Sequence, residues 1–523
     1  MIISFKFDYL NNNGLIAYFL DFYARKAGLK YALNLGKNLT TLYVEADEKE
    51  LLEFSDKFMA LIPNSAFLAK SSVEVVSGEG DLKEVCEKSD EIKFLPKFSN
   101  FTPSQIHEFL QSGEFIENEF GVLSGVSVFD GESFVAVNKQ NFGKLIEYAY
   151  RILRHNQILQ ISLNGEKFSL SADLNFENSD FMVATGLKSF NKIFITDDKQ
   201  KIALATYEKP ILRLKTNSVF RSSFSKSPKF FDVKMCSDLF SFALFKRLED
   251  DEIYYVGAKG AQGNKNKFLN LCVIEDRFLI TKNSEFMSEA EKTLLASGDE
   301  ITHFGLICKE KEIFDSRVMR VFVSKNHADE IAIYEAKSKR KLLNFAMPAN
   351  LDALFDEIKS DETGAKLLAN FGAKFSLDYA RANADFSEVK PSFYGYFELL
   401  SRVIFGKDAQ YLLECAGEFL GEKGMKLDFE LKENGDFNFA KTLRSAMSYK
   451  LAGVDDKVLS YGVIDTLARF IGDLADANEA LYDSGVLSGS LFAERRFANI
   501  ATLVLGKSRL DFSAYLGLQG CER

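Results

Sequence analysis

The chain has 523 residues, 46% hydrophobic and 27% charged with only 7 Pro, which describes a folded protein of several domains rather than a disordered or collagenous one. A net charge of −10 excludes an extended nucleic-acid surface, because phosphate neutralisation needs clustered Lys and Arg. No run of about 18 uncharged apolar residues is present to span a membrane, and Lys6 and Asp8 interrupt the apolar N-terminal stretch with no small-residue cleavage site after it, so a cytoplasmic protein without membrane insertion is expected.

The first elements form a small α/β unit. MIISFKFDYL alternates as a strand, and GLIAYFLDFYARKAG then carries Leu15, Tyr18, Phe19, Phe22 and Tyr23 on one helical face and stops at Gly28. KYALNLGKNLTTLYVEA gives two strands around a Gly36-Lys37-Asn38 turn. DEKELLEFSDKFMALIP is a second amphipathic helix ending before Pro63, and AFLAKSSVEVV closes with a strand. The order βαββαβ over residues 1–78 is that of a ferredoxin-like domain.

This order is similar to that of acylphosphatases, whose first loop carries G-x-x-x-R around an acyl phosphate and whose next strand supplies an Asn that positions water. The resemblance puts Asn34, in GLKYALN, at that Asn position. The loop NNNGLIAYF, Asn11 to Phe19, has no Arg, so acyl phosphate hydrolysis is expected to be weak or absent without a guanidinium to neutralise the phosphate. Asn34 is also readable as an ordinary turn residue near a strand end.

From Ser77 a charged segment reads as a linker or short connecting helix. TPSQIHEFLQSGEF predicts a helix, GVLSGVSVFDGESFVAV two strands around Asp130-Gly131, FGKLIEYAYRILRHN a helix, and QILQISLNGEKFSLSAD two more strands. Residues 85–210 are therefore a mixed α/β middle region. The basic stretch from Lys209 to Phe231 reads first as a solvated connector, with an anion-binding pocket as the sharper alternative.

Beyond about residue 250, DDEIYYVGAKGAQGNKNKFLNLCVIEDRFLIT looks like strand, Gly-rich turn, strand; Gly257, Gly260 and Gly263 lack the Gly-Lys-Ser/Thr of a P-loop. Four amphipathic helices follow, in FYGYFELLSRVIFG, DAQYLLECAGEFLG, TLRSAMSYKLAG and SYGVIDTLARFIGDLAD. The run DSGVLSGSLFAERRFANI then reads as a buried strand through Val486-Leu487, a small-residue turn at Ser488, Gly489 and Ser490, and a helix on which Phe492 and Phe497 share a face. Such a turn can aim backbone N–H groups and a helix N-terminus at a phosphate. Helices leading into a strand, a turn and a helix are an α/β pattern.

Four runs in order, YYVGAKGAQGNK, PSFYGYFELLSRVIFG, DAQYLLECAGEF and VLSGSLFAERRF, resemble the V-G-A turn, the S-S-x-G-R-L-F-D-A-V-A and E-G-Q-A-A helices and the L-S-G-G-V-F-x-N-R turn of the HypF carbamoyltransferase family, which matures [NiFe] hydrogenases. With the acylphosphatase-like start, both ends fit one parent architecture. The resemblance implies an α/β multidomain protein: acylphosphatase-like at 1–78, a middle region at 85–210 open to a YrdC-like fold, and a carbamoyltransferase-like, actin-like-ATPase-related module at 211–523.

Departures from the family are as informative. Its paired C-x-x-C zinc modules, its H-x-x-x-H metal pair and its terminal D-G-G turn are missing, the last replaced by LDFSAYLGLQGCER. In the phosphate turn the second Gly is Ser490 and the Asn is Glu494, whose carboxylate would repel a phosphate. The six cysteines, Cys86, Cys236, Cys272, Cys308, Cys415 and Cys521, form no C-x-x-C pair, and His107, His155, His303 and His327 lack ligand spacing. Reduced thiols and no bound transition metal are expected. These are the marks of a shortened HypF-like accessory protein of the kind found in hydrogen-oxidising ε-proteobacteria. Its implied partners are a hydrogenase subunit or other maturation proteins. The alternative is an active carbamoyl- or nucleotide-dependent transferase with a rearranged site, and the one cofactor in view is ATP, held weakly at Ser488, Gly489 and Ser490.

Overall fold

The computed structural model describes residues 1–11, 13–76, 82–86, 89–92, 100–116, 125–173, 179–187, 190–223, 228–260, 268–275, 277–336 and 338–520. Asn12, Ser77, Gly263 and Cys521 of the sequence reading lie outside them. Two compact units are present: Met1–Val273 with Lys282–Ser288, and Ile274–Thr281 with Glu289–Arg523. The architecture is α/β and multidomain, as the sequence indicated.

The first unit begins with β1 (Ile2–Tyr9), α1 (Leu15–Ala27), β2 (Lys30–Gly36), β3 (Leu39–Glu45), α2 (Glu48–Lys57) and β4 (Leu68–Val75). The strands form an antiparallel sheet in the order β2-β3-β1-β4. Helix α1 buries Leu15, Phe19, Leu20 and Tyr23, and ends where Gly28 takes a left-handed φ of 70°. Such a C-cap suits glycine, which has no Cβ to clash. A capping box between Asp47 and Glu50 starts α2, which stops at Lys57, earlier than the sequence suggested, because Met59–Leu61 tightens into a 3₁₀ turn. The outer edge of β2 is covered: Leu33 N–H donates to Ser89 Oγ at 2.9 Å, Leu35 N–H to Asp90 Oδ2 at 2.8 Å, and Asp90 N–H to Leu33 O at 2.7 Å.

The rest of this unit is a mixed sheet with β5 (Val126–Phe129), β6 (Phe134–Ala136), β7 (Leu159–Leu163), β8 (Glu166–Ser171), β9 (Phe181–Ala184), β10 (Phe194–Ile195), β11 (Ile211–Thr216), β12 (Phe230–Met235), β13 (Tyr255–Gly260) and β14 (Asn270–Val273). Its order is β14-β11-β12-β9-β13-β8-β7-β5-β6, with β10 beside β11. Helices Phe142–Arg154 and Leu239–Asp250 pack a Phe-rich core, with Phe109, Phe142, Phe240 and Phe242 in edge-to-face contacts. Phenylalanine thus fills positions that tryptophan could take.

The basic stretch read as a solvated connector is instead structural. Ile211, Leu212 and Leu214 are buried within β11, Arg213 alone on that strand is exposed, and Lys209 is 8% exposed with its ammonium donating to Ala205 O at 2.7 Å. Alternating apolar residues outweighed the local charge. Burial lowers the Lys209 amine to about 8. The V-G-A run likewise lies in β13, between β8 and β9.

In the second unit, β15 (Phe278–Lys282) precedes helix Glu300–Glu310 and a sheet of β16 (Val318–Phe322), β17 (Glu330–Glu335), β18 (Ser338–Lys341), β19 (Ser484–Ser488) and β20 (Leu510–Asp511), ordered β18-β17-β16-β19-β20. The pairs β18-β17 and β17-β16 are antiparallel, while β16-β19 and β19-β20 are parallel. The four predicted helices are present as Phe393–Phe405, Ala409–Glu418, Phe439–Leu451 and Asp456–Ala477. Phe393 meets Phe437 edge-on at 5.4 Å, and Tyr396 stacks on Phe439 at 4.6 Å. No described helix is long and apolar enough to cross a membrane.

Candidate functional site

Parallel pairing of Phe322 with Ser488 sets the C-terminal ends of β16 and β19 side by side. Ligands of open α/β sheets bind outside such carboxyl ends. After β19 come a 3₁₀ turn, Ser490–Ala493, and helix Arg495–Leu505. Phe492 and Phe497 stack at 5.1 Å, both fully buried. Gly489 adopts φ 106° and ψ 148°, and a Cβ on it would lie 2.0 Å from Val323 O. Only glycine fits there.

Three N–H donors of the turn are occupied by the chain itself. Gly489 N–H donates to Leu518 O at 2.6 Å, Leu491 N–H to Val323 O at 3.2 Å, and Phe492 N–H to Gly489 O at 3.2 Å. Ser490 Oγ accepts the Lys325 N–H at 2.9 Å and lies 3.2 Å from Ser324 Oγ. Ser488 Oγ is buried without a hydrogen-bond partner among the described residues. Glu494 does not confront the turn as a bare charge, as its position in the sequence suggested, because Lys325 Nζ pairs with it at 2.5 Å. With both side chains about four-fifths covered, at 21% and 19% exposure, this pair is screened less than a surface one. Asp329 anchors the same loop by accepting N–H groups from Ser324 at 2.7 Å and Phe393 at 2.6 Å.

A cleft of about 720 Å³ opens beside this network, lined in part by Glu300, Arg320, His327, Asp329, Glu330 and Lys341. Arg320, 3% exposed, donates to Glu330 Oε1 at 2.9 Å and to Glu300 O at 3.0 Å, while its Nε has no hydrogen-bond partner among the described residues. Its guanidinium lies 4.8 Å from the Phe322 ring centre and 5.3 Å from that of Phe304. Burial alone would raise the Glu330 carboxyl, but hydrogen bonds from Lys339 and Tyr334 and the Arg320 charge hold it below its usual range.

Two histidines flank Glu300: His303 Nδ1 is 3.8 Å from Oε2 and His327 Nε2 is 4.0 Å from Oε1. Among the described residues no group of three or more His, Cys, Asp or Glu is placed to hold a metal ion. His303 is 1% exposed, its Nε2 lies 2.8 Å from Gly517 O, and burial pushes its imidazole down to about 4. Sequence reasoning passed over this cluster. The signal it carried was Glu300-x-x-His303, a spacing that puts both side chains on one helical face.

At the N-terminal candidate, Asn34 is exposed on β2 opposite Thr41. No hydrogen bond joins it to the first loop among the described residues. That loop closes on itself: Asn13 Oδ1 accepts Leu15 N–H and the Tyr9 hydroxyl, each at 3.0 Å, and Asn11 Nδ2 donates to Phe286 O at 2.8 Å. The first free N–H of α1 is therefore already bonded. His107 and His155 are exposed, and Cys86, Cys236, Cys272, Cys308 and Cys415 are free thiols.

No protein-family model matches the chain. It is 28% identical over 521 residues to Protein HydE of Wolinella succinogenes, spanning 91% of each chain. Among solved structures, HypF of T. kodakarensis superposes with a TM-score of 0.54 at 10% identity, covering 99% of this chain and 96% of that one. Full-length HypF in its phosphate- and nucleotide-bound form gives 0.50 at 12% identity with the same coverage. The HypF-like character read from the motifs is borne out: the chain has the HypF fold from end to end and a chain-long likeness to HydE.

Proposed function

We propose that this chain is an accessory factor in [NiFe] hydrogenase maturation that binds a hydrogenase subunit or another maturation protein, in the cytoplasm, and does not transfer carbamoyl groups. The observation that carries this is the occupancy of the Ser488-Gly489-Ser490 turn: its N–H groups at Gly489 and Leu491 are bonded to Leu518 O and Val323 O, and Lys325 is bound to Glu494. An anion arriving there would have to displace hydrogen bonds already made, so its net gain would be small. The absent Arg in the first loop and the missing cysteine pairs support the same conclusion. Affinity capture of the tagged chain from cells expressing a [NiFe] hydrogenase is expected to recover an immature hydrogenase subunit or a maturation protein. Recovery of neither, at expression levels where the tagged chain itself is abundant, would count against the proposal.

A second function is favoured by one observation, the position of this turn at the ends of two adjacent parallel strands. An active carbamoyl- or nucleotide-dependent transferase would place its nucleotide there. Calorimetric titration with ATP and Mg²⁺ separates the two, and no binding in the micromolar range is expected. Micromolar binding that disappears in Lys325→Ala, with the melting curve unchanged, would establish the transferase instead.

A further inference from the structure

The two edges of the N-terminal sheet differ. The edge of β2 is closed by Ser89 and Asp90, whereas along β4 no described residue bonds the outward backbone groups. The ladder phase follows from Val76 N–H donating to Ile2 O at 3.0 Å, in register with Ser4↔Glu74 and Lys6↔Ser72. In an antiparallel ladder, hydrogen-bonded and non-bonded pairs alternate, so Lys70, Ser72 and Glu74 bond toward β1 and Ser71, Val73 and Val75 turn their N–H and C=O groups outward. Val73 and Val75 are 59% and 64% exposed on this edge. A strand of eight residues whose outward backbone groups meet no partner among the described residues, with valines exposed beside them, is a template for another strand.

The charge pattern selects which one. We infer that β4 pairs antiparallel with β4 of a second copy of this chain, about a two-fold axis through Ser72, joining the two sheets into one of twice the width. That register sets Ser71 against Val73 of the partner in hydrogen-bonded pairs, using the outward groups of both. It also sets Lys70 against Glu74 of the partner in non-bonded pairs, where side chains approach most closely. The axis repeats each pair, as an isologous interface requires. Centring on Ser71 would set Lys70 against Ser72 and Glu74 against Leu68, and centring on Val73 would set Glu74 against Ser72 and Lys70 against Val76, so neither register pairs opposite charges. Lys6, already 2.5 Å from Glu74, extends the row as Lys6, Glu74 and the other copy's Lys70, with signs alternating.

Sedimentation equilibrium of the full chain over a concentration series tests this. The expected mass is twice 58.9 kDa at high concentration. Lys70→Glu should weaken the dimer at least about tenfold, since it turns two attractive cross-strand pairs into repulsive ones. Val73→Pro should abolish it while leaving the β1–β4 ladder intact, because the lost N–H points away from β1. Unchanged circular dichroism and melting of both variants show that the fold persists. A 58.9 kDa monomer throughout, or a dimer indifferent to both substitutions, overturns the inference.

Discussion

Replacing Gly489 by alanine is expected to destabilise the second compact unit by roughly 3–5 kcal/mol, combining a backbone conformation that other residues rarely adopt with overpacking of a filled space. The reason is local and severe. At φ 106° the new Cβ would sit 2.0 Å from Val323 O and 2.5 Å from Val323 C, both backbone atoms that no rotamer change can move. Relief requires β16 to separate from β19 where Val323 N–H donates to Ser488 O at 3.0 Å. Gly506→Ala is the matched control, because Gly506 has φ −60° and open space where its Cβ would go. Differential scanning calorimetry should show one transition lowered by many degrees or lost in Gly489→Ala and hardly moved in Gly506→Ala. Equal behaviour of the two variants would mean that the turn is not held as described.

Acidification is expected to weaken the same unit through His303. Its folded-state imidazole is lowered to about 4 from its usual 6.5, chiefly by burial, with the Gly517 carbonyl opposing the effect and the Arg320 charge adding to it. Glu300 faces it from its own helix at 3.8 Å. A lowered basic group leaves the unfolded state binding more protons between the two values, so stability is full above about pH 6.5 and falls as pH drops toward 4. The loss is about 2 kcal/mol at pH 5 and about 3 kcal/mol at pH 4, levelling off at about 3.4 kcal/mol below that. Urea midpoints at pH 7, 6 and 5, compared between wild type and His303→Gln, isolate this contribution from the other titrating groups. Parallel pH dependences would remove His303 as the cause.

The N-terminal βαββαβ order was legible because each element carries its own punctuation: Gly28 ends α1, Asp47 and Glu50 open α2, and Gly36-Lys37-Asn38 turns β2 into β3. The C-terminal helices were legible from long apolar periodicity closed by Gly406 or opened by Asp408 and Asp455. The large sheet of the first unit was not. Its short strands come together from β5 to β14, and β11 hid its three buried aliphatic residues among Lys and Arg. At the candidate site, the turn could be read because strand, Gly489 and helix are contiguous. Its partners could not, since Leu518, Val323 and Lys325 reach it from distant parts of the chain and no local period announces such contacts. The Glu300, His303, Arg320 and His327 cluster has the same origin.

The parallel pairing of β16 with β19 also bears on how the second unit is made. Ser324 meets Ser490 across 166 positions of sequence, and all four large helices lie within that interval. Closing a loop of that length exacts its entropy before any strand hydrogen bond compensates for it, whereas the helices and the β16–β17–β18 meander form from near neighbours. Docking of β19 therefore comes late. Until it arrives, the flank of β16 that will receive it is an unpaired edge of a half-built sheet, with Val318, Met319 and Val321, all buried in the finished unit, exposed beside it. That transient edge is where refolding competes with aggregation, so the yield of this unit depends on how quickly Ser484–Ser488 finds its place.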